Sequence, residues 1–242
     1  MAHFDSNKKL ENWEKFIPNQ DFISDLYNEN LPIEKSIFDL ISNVCDLKVP
    51  KKKFALQESD LFSIEEMASS PVALMFIKFI IKLIKAKTIL EIGTFVGVGS
   101  LHMAEDLPEE GKLVTIEKFK KFADIASSNF KKNNMDHKIE LICGDAEEVL
   151  KTYHFEKKFD LIFIDGAKEK YDEFLKFASN KINVGGIIFI DDALFHGDVL
   201  NKNPQTEKGC GVKKSIYAAK ELNGFDKTFL PLSNGVMLLR KN

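Results

Sequence analysis

From Thr88 onward, short and almost continuously apolar runs alternate with longer amphipathic ones. The runs TILEIG, KLVTIE, IELICG, FDLIFID and GIIFIDD have the length and β-branched content of strands. Between them, GVGSLHMAEDL, KFADIASSNFKKN, AEEVLKTY and YDEFLKFASNKI space their apolar residues as helices do. Strand–helix alternation of this kind predicts an α/β, doubly wound parallel sheet with helices on both faces. Strands covered on both sides read as apolar throughout, as these do. The tail breaks the pattern. KTFLPL, Ser-Asn-Gly and VMLLR read as an antiparallel pair around a tight Asn234-Gly235 turn, so the sheet is expected to be mixed with an antiparallel edge. The polar Gly/Pro stretch Asn201–Lys214 reads as a loop beside the ligand edge, able to move and to cover a site.

Upstream, Val72–Leu90 has nearly the length of a membrane span, but Lys78, Lys82 and Lys85 interrupt it at helical spacing. It reads as an amphipathic helix with a solvated lysine stripe, running into a strand near Lys87. The pieces FISDLYNENL and IEKSIFDLISNVCDL are also helical in pattern. This divides the chain into an N-terminal helical extension, 1–62, and a main domain, 63–242. The extension is expected to pack on the main domain or on a partner subunit. The chain opens on MAHFDSNKKLENWEKF, which has no apolar core of an export signal.

Composition narrows the function. With 34 Lys+Arg against 37 Asp+Glu, the 242-residue chain carries a formal charge of −3, against the basic balance of a nucleic-acid binder. Cys45, Cys143 and Cys210 form no CxxC pair, which disfavours zinc and a disulfide framework and favours a reduced, cytoplasmic setting.

Two motif groups carry chemistry. The first is TILEIGTFVGVGS, a strand, a glycine turn and a helix start. Gly93, Gly97 and Gly99 permit a sharp turn close to a ligand, and the helix N-terminus offers N–H groups to a carboxylate or phosphate. Glu117, at the end of the next strand, can accept ribose hydroxyls. This points to an adenosine-type ligand, NAD or S-adenosylmethionine (SAM). The spacing GxxxGxG departs from the dinucleotide fingerprint GxGxxG. Glu91 would repel a pyrophosphate but suits the cationic methionyl end of SAM. In CGDAEEVL, Gly144, Asp145 and Ala146 fall where an adenine edge would lie, and Asp145 equally reads as a helix cap.

The second group is acidic. FDLIFID ends in Asp165, and GGIIFIDD ends in Asp191 and Asp192. Carboxyl ends of strands hold the ligand in such sheets, so three carboxylates should gather there. Clustered carboxylates repel unless they share protons or a cation, and all-oxygen ligation suits Mg²⁺, with Ca²⁺ or Mn²⁺ as alternatives. Lys168, three residues after Asp165, could act as a base or remain a solvated loop lysine. Tyr171, Phe195 and His196 lie close in sequence, and Phe195 could stack on an aromatic substrate. Cys210 reads as a passive loop residue.

The series LEIGTFVGVGSL, VTIE, GDAEEVL, FDLIFIDGAKEKYDEFL, VGGIIFIDDALFHGDV and FLPLSNGVMLLRK resembles the cation-dependent class I O-methyltransferases. Within them it is more similar to the caffeoyl-coenzyme A group than to catechol O-methyltransferase. The resemblance runs from Ser63 to the C-terminus. It implies a Rossmann-like seven-stranded mixed sheet with the last strand antiparallel, behind N-terminal helices. It implies SAM as methyl donor, a divalent cation, a small phenolic acceptor and a homodimer. Carried over residue by residue, Met67 and Ser69 meet the methionyl part, and Glu91, Gly93, Phe95, Gly99 and Ser100 line the cofactor. Glu117 holds the ribose, Asp145 and Ala146 lie by the adenine, and Asp165 and Tyr171 complete the cofactor side. Asp165, Asp191 and Asp192 ligate the metal, and Lys168 and Asp165 are catalytic. Two departures stand out: Asp192 replaces a common Asn, and Val98-Gly99-Ser100 replaces the Tyr-Ser end of GTxTGYS. The expected reaction is methylation of one hydroxyl of a vicinal diphenol. The alternatives are another acceptor or a non-catalytic SAM-binding module.

Overall fold

A computed structural model describes residues 40–41, 44–45 and 69–242. Met67 and the expected boundary at 62/63 lie outside the described residues. Helix α1 (Pro71–Ile84) starts where Ser70 Oγ accepts from the Ala73 N–H at 3.2 Å and Pro71 takes the first turn. It stops at Lys85, whose left-handed φ of 54° closes the last turn. Its buried stripe is Val72, Leu74, Ile77, Ile80 and Ile81. With 14 residues it is too short for a span, and among the described residues no helix is long and apolar enough to cross a membrane. The lysine stripe is not uniformly solvated as expected. Lys78, its side chain only 18% exposed, pairs with Glu105 and Asp106 because the end of the next helix, α2, packs there.

The remaining elements follow as expected: β1 (Thr88–Ile92), α2 (Val98–Glu105), β2 (Lys112–Glu117), α3 (Lys120–Lys132), β3 (Ile139–Cys143), α4 (Ala146–Thr152) and β4 (Phe159–Ile164). After a 3₁₀ turn (Lys168–Lys170) come α5 (Tyr171–Lys181), β5 (Ile182–Ile190), a second 3₁₀ stretch (Phe195–Leu200), α6 (Glu207–Glu221), β6 (Phe225–Leu230) and β7 (Val236–Lys241). The seven strands lie in the order β3-β2-β1-β4-β5-β7-β6, with β7 antiparallel to both neighbours and the rest parallel. This is the mixed Rossmann-like sheet anticipated.

Side-chain alternation sends Ile89, Leu113, Leu161, Phe163 and Phe189 to the face covered by α1, α2 and α3. Leu90, Ile92, Ile162, Ile164 and Ile190 go to the face covered by α5 and α6. The central strands are covered on both faces, and the acids that follow β4 and β5 emerge at their carboxyl ends. At the carboxyl end the strands finish level: Gly93 N bonds Ile116 O, Asp165 N bonds Ile92 O, and Asp191 N bonds Ile164 O, at 2.9–3.1 Å.

The stretch Asn201–Lys214 corrects the sequence reading. Only its first half is irregular, and Glu207 opens α6. Thr206 caps the helix by accepting from Gly209 N at 2.9 Å. The buried Asp198 carboxylate accepts from Asn201 Nδ2, Gln205 N, Thr206 N and Thr206 Oγ1 at 2.7–3.1 Å. Gly209 and Gly211 weaken helix propensity, but here they let α6 press against Asp198 and against the backbone of Lys168–Glu169. Tertiary packing therefore overrides the local turn signal. The β6–β7 connection is also longer than a two-residue turn, running over 231–235.

Candidate active site

The β1 and β2 ends gather one group of acids. Strand register places Glu91 beside Thr115 on the parallel neighbour, on the same face. Glu91 is buried, and its Oε2 accepts from Thr115 Oγ1 at 2.6 Å and from Ser100 Oγ of α2. Thr94 Oγ1 lies 2.5 Å from Thr115 Oγ1. Burial pushes the Glu91 carboxyl up to about 8, against the pull of Ser100 and Thr115 and with a further push from Asp165 and Glu117. Gly99 lies so close to Glu91 Oε1 that an added Cβ would sit 2.6 Å from it. Gly93, at φ 105°, turns the chain against the backbone of Asp165 and Gly166, where no side chain fits.

Glu117 accepts from Phe95 N and Phe119 N, both at 2.8 Å, which orients its carboxylate across the glycine turn. Burial pushes its pKa up and these backbone donors pull it back. Phe95 holds this position at φ 51°, an uncommon conformation for a side-chain-bearing residue, and packs edge-on to Phe122. The first turn of α2, which follows the glycine turn, has no side-chain cap on its N–H groups. Asp145 is the cap of α4: Oδ1 accepts from Glu147 N at 3.0 Å, and Oδ2 pairs with Lys118 at 2.8 Å. Ala146 is the first residue of that helix.

The β4 and β5 ends gather the second group. Lys168 Nζ lies 2.6 Å from Asp165 Oδ1 and 2.7 Å from Asp192 Oδ2. Ser69 Oγ donates to Asp165 Oδ2 at 3.0 Å, and Asp191 Oδ1 accepts from Asp192 N at 3.0 Å. Lys168 also sits over the Tyr171 ring, 5.2 Å from its centroid. Burial opposes the Lys168 charge, but Asp165 and Asp192 outweigh it and hold the ammonium well above the usual lysine range. Burial, reinforced by Asp165 and Asp192, pushes Asp191 well above the carboxylate range. Burial acts on Asp192 too, yet Lys168 more than reverses it. Lys168 is shared by Asp165 and Asp192, while Asp191 accepts from the Asp192 N–H, and this all-oxygen donor set suits a hard divalent cation. Among the described residues, no three His, Cys, Asp or Glu side chains form a preassembled cation cage, since Lys168 lies between two of the candidates.

The segment after β5 is strained: Asp192, Phe195 and His196 have φ of 54°, 41° and 52°. The β6–β7 connection holds it. Asn234 Nδ2 donates to Asp192 Oδ1 at 2.9 Å, its Oδ1 accepts from His196 N, and its carbonyl accepts from Leu194 N at 2.7 Å. Ser233 Oγ meets Ser70 Oγ at 2.5 Å, tying the connection to the start of α1. Sequence reading took Asn234 only as a turn residue and left Thr115, Ser233 and Asp198 aside. Only the register of β1 on β2 marks Thr115, and only tertiary packing marks the others. Cys143 and Cys210 are exposed free thiols.

A profile of the O-methyltransferase family matches residues 52–242. A probable caffeoyl-CoA O-methyltransferase 3 of Dictyostelium discoideum is 32% identical over 183 residues, covering 69% of this chain and 73% of that protein. A catechol O-methyltransferase of Niastella koreensis is 33% identical over 136 residues, covering 55% and 62%. Among solved structures, the SAM-bound O-methyltransferase TomG of Streptomyces achromogenes superposes with a TM-score of 0.76 at 25% identity, over 84% of this chain and 96% of that one. With the profile spanning most of the chain and the glycine turn and strand-end acids in place, the chain belongs to the O-methyltransferase family, the class I SAM-dependent enzymes its motifs resemble.

Proposed function

We propose that the protein methylates one hydroxyl of a vicinal diphenol, with SAM as donor and a divalent cation, Mg²⁺ in the first instance and Ca²⁺ or Mn²⁺ as alternatives. The observation that carries this reading is the gathering of Asp165, Asp191, Asp192 and Lys168 at the edge that also holds Glu91 and Glu117. Relatives named for catechol and caffeoyl-CoA acceptors support the phenolic class.

The cleft fits SAM in its chemistry: Glu91 for the ammonium, the uncapped α2 N-terminus for the carboxylate, and Glu117 for the ribose. SAM supplies the methyl group, transferred from its sulfonium to one acceptor oxygen. Asp165, Asp191 and Asp192 would hold the cation, which when bound favours the ionised form of a phenol whose ordinary pKa is about 10. The Lys168 ammonium stabilises the phenolate. Its raised pKa favours that electrostatic role over proton abstraction. Asn234 fixes Asp192 and the Phe195–His196 segment, where the acceptor ring would lie. Transfer needs no covalent enzyme intermediate, so positioning and electrostatics carry the acceleration. A homodimer belongs to the same reading, with the exposed Phe79 and Leu83 of α1 as candidate contacts, and light scattering tests it.

The test is methyl transfer from labelled SAM to a pool of diphenols, including caffeoyl-CoA, with Mg²⁺ and with EDTA. Transfer only with metal is the expected result. Metal-independent transfer would keep the donor and overturn the role of the three aspartates. Absence of transfer under both conditions would overturn the diphenol acceptor.

A further inference from the structure

We propose that Thr115 and Ser100 are positioning residues for cofactor binding: their hydroxyls clasp Oε2 of Glu91 from two sides and present Oε1 to the ammonium of the methionyl group. The inference rests on the SAM reading above and deepens it.

Three observations carry it. First, the two hydroxyls come from different elements, β2 and α2, and both converge on one oxygen of a buried carboxylate. Second, the proton count closes. A hydroxyl has one proton to give, so Thr115, which donates to Glu91, must accept from Thr94 at 2.5 Å. The chain Thr94–Thr115–Glu91 therefore has a direction whenever Glu91 is ionised. Third, Oε1 lies against Gly99, where a side chain would displace it. The shift of the hydroxyl from position 99 to 100 thus has a local meaning. A serine at 99 would crowd Oε1, whereas Ser100 reaches Oε2 and leaves the α2 N–H groups to the ligand carboxylate.

The charged groups that bear on Glu91 are Asp165, just beyond β4, and Glu117 of β2, both acidic, while α2 contributes the Ser100 hydroxyl. A buried carboxyl in that setting holds a proton in the free protein, consistent with a pKa of about 8. Binding an ammonium beside it favours the ionised form, so cofactor binding should release a proton.

The experiment is calorimetric titration of the full chain with S-adenosylhomocysteine in two buffers of different ionisation enthalpy. It runs between about pH 6 and 7.5, where a ligand amine of pKa about 7.7–8.0 stays largely charged. The wild type should release about one proton per site and bind up to about tenfold tighter per pH unit. Thr115→Val should weaken binding about tenfold or more, with the larger loss at low pH, and should raise KM for SAM more than it lowers kcat. Ser100→Ala, on the other element, should act in the same direction, and Thr115→Ser should restore affinity and proton release. Wild-type affinity and proton release in both Thr115→Val and Ser100→Ala would overturn the positioning role. A wild-type protein that binds no S-adenosylhomocysteine at any pH would instead overturn the cofactor reading, and this proposal with it.

Discussion

Glu91 and Glu117 near the ends of β1 and β2, and Asp165, Asp191 and Asp192 beyond β4 and β5, are acids at the same edge of one sheet, yet they are held in different ways. The first pair is held by neutral donors: two hydroxyls on Glu91, two backbone N–H groups on Glu117. Neutral donors fix the direction of a carboxyl group without bringing an opposite charge, so hydrogen bonds rather than charge shape this half. The second group is held by one ammonium shared between Asp165 and Asp192, while Asp191, bonded to the Asp192 N–H, is raised by burial and by its acidic neighbours. There, charge decides the arrangement, and an added cation would change it. In the function proposed above, one half of the edge orients a ligand and the other accepts charge.

Substitutions can break this contrast. The largest effect is expected from Asp191→Ala, which should lower metal-dependent turnover by at least about 100-fold while S-adenosylhomocysteine binding stays within about threefold of wild type. Retained turnover with unchanged metal dependence would remove Asp191 from the cation site. Lys168→Met should reduce kcat by about 100-fold and again spare cofactor affinity. If kcat survives, the ammonium is structural. A smaller loss, about tenfold in apparent cation affinity, is expected for Asn234→Ala, because Asp192 loses the amide that orients it. Cation titration of the activity reads this directly.

On the other half, Glu91→Gln tests the sign of the electrostatics. The folded pKa of Glu91 is raised to about 8, so its contribution to stability is present below the ordinary carboxylate pKa of about 4.5 and is lost as pH rises through 8. The neutral variant escapes that loss. Its melting temperature relative to wild type should climb by about 4 °C or more from about pH 5 to about pH 9. A constant difference across that range would mean that Glu91 stays ionised throughout.

Much of this was legible along the chain. The seven strands, the α/β winding and the antiparallel edge follow from apolar runs of strand length and a tail whose pattern breaks the alternation. The strand-end acids were legible for the same reason: a polar residue ending a run buried on both faces can only emerge at the sheet edge. Asp145 reads both as a cap and as an adenine neighbour, and its bond to Glu147 N shows the cap. What failed was local. Pro204, Gly209 and Gly211 read as loop, but Asp198 gathers the preceding turn and the glycines let α6 dock closely.

By itself, then, the sequence determined the winding of the sheet and the acids that stand near the carboxyl ends of its strands. Periodicity and strand ends are properties of neighbouring residues in the chain. Tertiary structure alone decided that Thr115 and Ser100 share Glu91, that Lys168 bridges Asp165 and Asp192, and that Asn234 braces the strained segment beyond β5. Each of these depends on strand register or on the docking of separate elements. A hydrogen bond across 24 or 42 residues leaves no periodic trace in the chain that makes it.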